Sequence, residues 1–138
     1  MKKILVMRKP VTSRNRKTNY KNLIVWKLAY NLVLDFYDIA ESLPEYEERN
    51  IADQMRRAST SLPLNIAEGA SSSFKKVFFS QLNYAYGSAK ELEVLLMLCR
   101  DRKYISSEQF LELNEKLDKF RCYTYRLMMR IEKELLYR

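Results

Sequence analysis

Histidine is absent from all 138 residues of the chain. That removes the commonest general base and the commonest metal ligand. The two cysteines, Cys99 and Cys122, lack the spacing of a zinc site. A di-iron bundle built on Glu-x-x-His pairs is excluded by the absence of histidine. Two glycines and three prolines leave little material for tight turns, so a β-rich fold is not expected. There is no GxGxxG, no Walker loop and no internal repeat. No apolar run approaches the roughly 20 residues of a membrane span. The apolar patch Ile4-Leu5-Val6 is too short for a signal-peptide core, and Arg8-Lys9-Pro10 follows at once. These absences predict a cytoplasmic, non-enzymatic, all-α protein that uses no cofactor or metal and does not enter a membrane.

What is present divides in two. Of the 25 Lys and Arg, eight fall within residues 1–21, where there is no Asp or Glu. The remaining 17 match the 17 Asp and Glu, so the rest of the chain is neutral. The sequence is read as a basic arm (1–19) ahead of a single helical domain (20–138) with 47% hydrophobic residues, enough for a real core. Arg8, Lys9, Arg14, Arg16, Lys17 and Lys21 are candidate contacts to the backbone of RNA or DNA. Pro10 rules out one continuous helix through the arm.

Four long helices are predicted. The first runs over about 20–42, with one stripe of Leu23, Trp26, Tyr30, Val33, Tyr37 and Ala40. A second stripe, Val25, Ala29, Leu32, Phe36 and Leu43, lies beside it, and Leu43-Pro44 ends the helix. The next helix begins after Pro44 and stops at Gly69, read as the residue just past the helix end. Ser71 to Ser73 offer a cap for the third helix, about 74–101, whose stripe is Phe74, Phe78, Leu82, Ala85, Ala89, Leu92, Leu96 and Cys99. Gly87 in its middle costs on the order of 1 kcal/mol against Ala, which requires something to pack there. Ser106 and Gln109 form a capping box for the fourth helix, with a core of Phe110, Leu113, Leu117, Phe120, Leu127, Ile131 and Leu135. Lys119, Arg126, Arg130 and Lys133 give its later half a basic side, diluted by Glu132 and Glu134. If the last two helices form a hairpin about Tyr104, Cys99 and Cys122 lie about 20 Å apart along it, which excludes a disulfide. Short connections give an antiparallel up-down-up-down bundle. Its apolar faces are wider than one seam needs, and ten tyrosines add to them, so self-association or a protein partner is expected.

Residues 54–69 concentrate the local conflicts. Ile51, Met55, Ala58, Leu62 and Ile66 share one helical face. Asn65 and Glu68 lie close to it and need partners if buried. Ala58, Ser59, Ser61 and Ala67 are small enough to let another helix approach. Pro63 predicts a kink or short break near Leu62. Glu68 with Asn65, or Glu91 with Glu93, are the only candidate acid–base groups, and neither pair has a nucleophile or phosphate loop beside it.

The order Gln54-x-Arg56-Arg57-Ala58-x-x-Ser61-x-Pro63-x-Asn65-Ile66-Ala67-Glu68-Gly69 resembles the signature of the bacterial four-helix-bundle family named after the 23S ribosomal RNA intervening-sequence protein. Ala85-x-Gly87-Ser88-x-x-Glu91-Leu92-Glu93 and Leu23-x-Val25-Trp26-Lys27-x-Ala29 resemble two further blocks of that family. The resemblance implies a non-enzymatic antiparallel bundle that forms a ring, usually a homopentamer. Arg56 and Arg57 match the family's arginine pair and are taken as further candidate nucleic-acid contacts. Trp26, Gln54, Ser61, Asn65, Glu68, Gly69 and Gly87 become structural or oligomer residues. It also implies relatives of two kinds. One is encoded within ribosomal RNA intervening sequences. The other is the accessory protein of diversity-generating retroelements, which binds nucleic acid and a reverse transcriptase. The expected function is an oligomeric nucleic-acid-binding scaffold, most specifically the reverse-transcriptase accessory. The alternatives are an intervening-sequence bundle protein and a protein-binding oligomer without nucleic-acid affinity.

Overall fold

The computed structural model describes residues 19–136. Arg8, Lys9, Arg14, Arg16 and Lys17 lie outside the described residues. Four long helices carry the chain: α1 (Ile24–Ser42), α2 (Asp53–Ala70), α3 (Lys75–Asp101) and α4 (Ser107–Leu136). There is no strand among the described residues. No helix there is long and apolar enough to cross a membrane.

α1 starts later than its sequence pattern suggests, because Leu23 is extended. A 3-10 turn, Tyr20–Asn22, precedes it, and Asn19 Oδ1 accepts the Lys21 amide at 3.0 Å. Of its two stripes, the one through Val25, Ala29, Leu32 and Phe36 is buried. The stripe through Trp26, Tyr30 and Tyr37 is left at the flank, half-buried or exposed. Leu43 is extended ahead of Pro44 and ends the helix.

The lead into α2 is helical throughout but not α-helical. A 3-10 turn, Glu45–Glu47, passes into a π-helical turn, Glu48–Ala52, and α2 proper begins at Asp53. α2 then runs unbroken through Pro63, so the predicted short break does not occur. Gly69 also corrects the sequence reading. It sits inside the helix, which closes at Ser71 in ordinary right-handed geometry, and its φ is not positive. Its missing side chain matters for packing instead. A Cβ at Gly69 would stand 2.9 Å from Gln81 Cβ and from Phe78 Cδ1. Gly69 is where α3 crosses close over the end of α2.

Phe74, not one of the serines after α2, holds the N-cap position of α3. Ser72 Oγ accepts the Phe74 amide at 3.1 Å, and Phe74, extended and 68% exposed, precedes the helix. The buried row of α3 therefore begins at Leu82 and continues through Ala85, Ala89, Leu92, Leu96 and Cys99. α3 ends in a Schellman motif. Tyr104 N–H reaches the Cys99 carbonyl at 2.8 Å and Lys103 N–H that of Arg100 at 3.0 Å. Lys103 holds the left-handed position that this motif usually gives to glycine (φ 62°). The capping box of α4 is reciprocal: Ser106 N–H donates to Gln109 Oε1 at 2.9 Å, and Gln109 N–H to Ser106 Oγ at 3.0 Å. The buried row of α4 runs Phe110, Leu113, Leu117, Phe120, Thr124, Met128 and Ile131. Thr124 and Met128 hold the buried row there, and Leu127, which the sequence reading placed in it, packs against it half-buried.

Each helix packs chiefly on two others, in the order α1, α2, α3, α4 and back to α1. Gly69 meets Phe78 and Gln81, and Ser61 meets Ser88. Lys75 pairs with Glu134, Glu93 with Arg121, and Asp35 with Lys116. Phe36, Met55, Leu62, Leu82, Leu96, Leu117 and Phe120 fill the common core.

Candidate functional site

Residues 54–69 present two faces. Met55, Ser59, Leu62 and Ile66 turn inward and are buried. One step round, Gln54, Arg57, Ala58 and Ser61 face Ser88, Glu91, Val94 and Leu95 of α3 across a groove of about 570 Å³. Helical periodicity explains both rows, since positions three and four apart share a face. Small residues meet across the groove. Ser61 Oγ lies 2.7 Å from the Ala58 carbonyl oxygen and 2.8 Å from Ser88 Oγ. Its single proton serves one of these contacts, and the Ser88 hydroxyl can supply the other.

Arg56 and Arg57 diverge. Arg56 is half-buried and ion-paired to Glu48 of the π-helical turn. Arg57, 74% exposed, reaches back four residues to Asp53 at 3.2 Å. Gln54 donates to Asn50 Oδ1 at 2.8 Å, and Asn50 to Glu47 Oε1 at 3.4 Å. Tyr104 OH donates to Glu47 Oε2 at 2.8 Å and lies 3.2 Å from Tyr46 OH. This chain of polar contacts joins the head of α2 to the α3–α4 turn. Hydrogen bonding to Tyr46, with Glu47 adding to it, pushes the Tyr104 phenol up to about 12.

The remaining predicted residues are spread over the body. Asn65 is half-buried and Glu68 is exposed, so Glu68 needs no buried partner. Trp26 stacks on Tyr30 at 5.2 Å and meets the edge of Tyr20 at 5.4 Å. Lys21 is exposed at the foot of α1. Gly87 is exposed, and among the described residues nothing beyond its own helical turn and chain neighbours lies within 4 Å of a built Cβ. Glu93 is an interhelical partner of Arg121, whereas Glu91 lines the groove. Among the described residues, no three Cys, Asp or Glu gather as a metal-binding group.

Sequence reasoning missed Arg121, whose guanidinium bridges Glu93 and Asp118. Its contact with Glu93 carries no local signal, because that partner lies 28 residues away; only Asp118 is within one turn. Ser88 lies within the block Ala85 to Glu93, and its contact with Ser61, 27 residues away, is likewise invisible along the chain.

The fold is similar to that of a protein of unknown function from the S23 ribosomal protein family of Bacteroides thetaiotaomicron. The TM-score is 0.71 at 24% identity, over 76% of this chain and 98% of that one. No curated protein sequence matches. Residues 21–124 match the family described as 23S rRNA-intervening sequence protein, a span that contains all three sequence blocks. The chain belongs to the 23S rRNA-intervening sequence protein family.

Proposed function

We propose that the protein is a cytoplasmic, non-enzymatic, self-associating scaffold that binds nucleic-acid backbone, of the kind encoded within ribosomal RNA intervening sequences. The observation that carries this reading is the separation of charge. Eight cations stand in residues 1–21 without one carboxylate, ahead of a body that is neutral. Such an arm binds polyphosphate by releasing counterions, with strong salt dependence and little sequence selectivity. Assembly multiplies the effect, because each further copy adds its own arm to the same particle.

Self-association is supported by the outer face of α3. Val77, Tyr84, Val94 and Leu98 are exposed there, and Gly87 leaves open space. We infer the antiparallel up-down-up-down order from the pairings of Ser61 with Ser88, Gly69 with Phe78, and Lys75 with Glu134. A bend in α2 is supported by Ser59, Thr60 and Ser61, whose hydroxyls bond back to carbonyls of the preceding turn just ahead of Pro63. A homopentamer is the assembly the family resemblance implies. A reverse transcriptase stays a candidate partner through that resemblance alone. No feature of the molecule selects it, so the intervening-sequence reading comes first.

Removing residues 1–18 tests the assignment. The expected result is weaker binding of labelled RNA and DNA in a gel-shift titration, with the helical circular dichroism and melting temperature retained. Equal binding with and without the arm would overturn it. Absence of binding by the intact protein in dilute buffer would leave the structural-oligomer reading.

A further inference from the structure

Where the chain enters α1, a second groove of about 400 Å³ opens between that helix and the later half of α4. Asn22, Leu23 and Val25 form one wall; Tyr123, Arg126 and Arg130 form the other. The two arginines are one turn apart on α4, about 6 Å along its axis, and both are exposed. The Arg126 guanidinium lies over the Tyr123 ring, 5.9 Å from its centre, which limits its freedom before any ligand arrives. Neither arginine forms an ion pair among the described residues.

That lack of compensation distinguishes this groove from its neighbours. The α2–α3 groove sets Glu91 beside Arg57, and the groove between α1 and α4 sets Asp35 beside Lys116 and Lys119. A further groove holds Glu134 with Lys75 and Arg130. Only apolar and amide side chains share the second groove with the two arginines and Tyr123. Glu134, one turn beyond Arg130, is engaged by Lys75. Arg130 is shared with that further groove, but no carboxylate lines the second one, and two cations one turn apart there suit an anion of repeating charge.

We propose that this groove holds the sugar–phosphate backbone of a single-stranded nucleic acid, Arg126 and Arg130 each meeting one phosphate. The proposal rests on the scaffold reading above and gives the neutral body its own contact. Asn19, the first described residue, stands three positions before Asn22 of the groove wall. The arm itself is the wrong occupant, since residues 1–18 carry seven cations and no acid, which the arginines repel. A single strand is flexible enough to bring two phosphates to guanidiniums at fixed spacing, and arginine matches phosphate geometry through its planar fork.

The test uses the full chain and fluorescence anisotropy of a labelled oligo-uridine over a series of salt concentrations. On a single strand, every phosphate that the protein no longer neutralises lowers the slope of log K against log salt by about 0.7. Arg126→Ala with Arg130→Ala is expected to make the slope shallower by about 1.4, with helical circular dichroism unchanged. Arg126→Lys with Arg130→Lys keeps the charges and is expected to restore most of the slope. Arg49→Ala with Lys90→Ala removes the same net charge elsewhere and is expected to leave the slope alone. An equal reduction in both alanine pairs would show net charge alone at work and overturn the groove. An unchanged slope, while an arm-neutralised chain loses binding, would overturn the groove and leave the arm reading standing. Faster proteolysis of residues 1–18 in the arginine variant, at unchanged slope, would make the arm the occupant and overturn it too. Failure of the unaltered chain to bind would remove the scaffold reading and this groove with it.

Discussion

Arg121 holds Glu93 with both ends of its guanidinium, Nη1 to Oε1 at 2.8 Å and Nη2 to Oε2 at 3.2 Å. The pair fastens α4 to α3 at mid-height, and Asp118 meets the same guanidinium. The hydrogen bond from Arg121 holds the Glu93 carboxyl below its usual range; partial burial opposes this, and the charges of Arg121 and Lys90 add to it. A carboxyl lowered in the folded state stabilises above its unfolded value near 4.5 and loses that contribution as pH falls through the folded value. Glu93 is 35% exposed, so screening limits the effect. Glu93→Gln is expected to cost about 1 kcal/mol at neutral pH and almost nothing below the folded value. Urea melts across that pH range report the difference, and an equal loss at both ends would contradict the pairing.

The two glycines predict opposite outcomes. At Gly69 a Cβ would stand 3.1 Å from Phe78 Cα, which is backbone and cannot swing away. Gly69→Ala should destabilise by about 1–3 kcal/mol through overpacking. At Gly87 the space is open, so Gly87→Ala should be tolerated or raise helix stability by up to about 1 kcal/mol. Gly87→Trp should keep the chain folded yet hinder the close approach of another copy. Light scattering coupled to gel filtration would then report a smaller particle. An unchanged mass would remove this face of α3 from the assembly.

Periodicity made the elements and most of the core readable. Leu113, Leu117 and Phe120 recur at helical steps, and Ser106 with Gln109 announces the start of α4. The same reasoning failed where a residue's type disagrees with its place. Thr124 is polar, so the α4 stripe was carried past it to Leu127, while the steps of three and four run through Thr124 to Met128. Its Oγ1 finds no hydrogen-bond partner among the described residues. Gly69 looks like a stop by composition, but the approach of Phe78 decides its role, and that is a tertiary fact. In the candidate groove, the shared face of Gln54, Arg57, Ala58 and Ser61 follows from spacing. The answering face of α3 depends on which turn of that helix lies opposite, which local pattern does not fix.

Lys103 offers a stability gain. It closes the Schellman motif at φ 62°, a conformation that an L side chain adopts at a cost and glycine adopts freely. Lys103→Gly is expected to stabilise by about 0.5–1 kcal/mol, because relief of the left-handed strain outweighs the added freedom of the unfolded chain. A melting temperature at or below the original would show that the lysine side chain contributes something the backbone geometry does not reveal.

The cysteines should separate by reactivity. Cys99 is buried, and burial, with Glu47 nearby, pushes its thiol up to about 11. Cys122 is exposed. Since the thiolate is the reactive form, a disulfide-exchange reagent at neutral pH should label Cys122 and spare Cys99 until the chain unfolds. Two fast equivalents from the native protein would mean that α3 opens far more readily than its packing indicates.

The arginine pair of α2 gives the sharpest comparison with the arm. Arg56 is half-buried against Glu48, and Arg57 already meets Asp53 within one turn. The Arg57 pair is exposed and worth a few tenths of a kcal/mol at most, so a phosphate can replace Asp53 at little cost. Arg56 is different, because drawing it away leaves Glu48 without its cation. Arg57→Ala should therefore weaken nucleic-acid binding modestly and leave stability unchanged. Arg56→Ala should act mainly on stability, lowering the melting temperature by loosening the π-helical turn before α2. Both effects on binding should be smaller than that of removing residues 1–18, whose cations have no acid among them. Anisotropy titrations paired with thermal melts separate the two roles, and a large binding loss for Arg56→Ala at unchanged melting temperature would reverse the assignment.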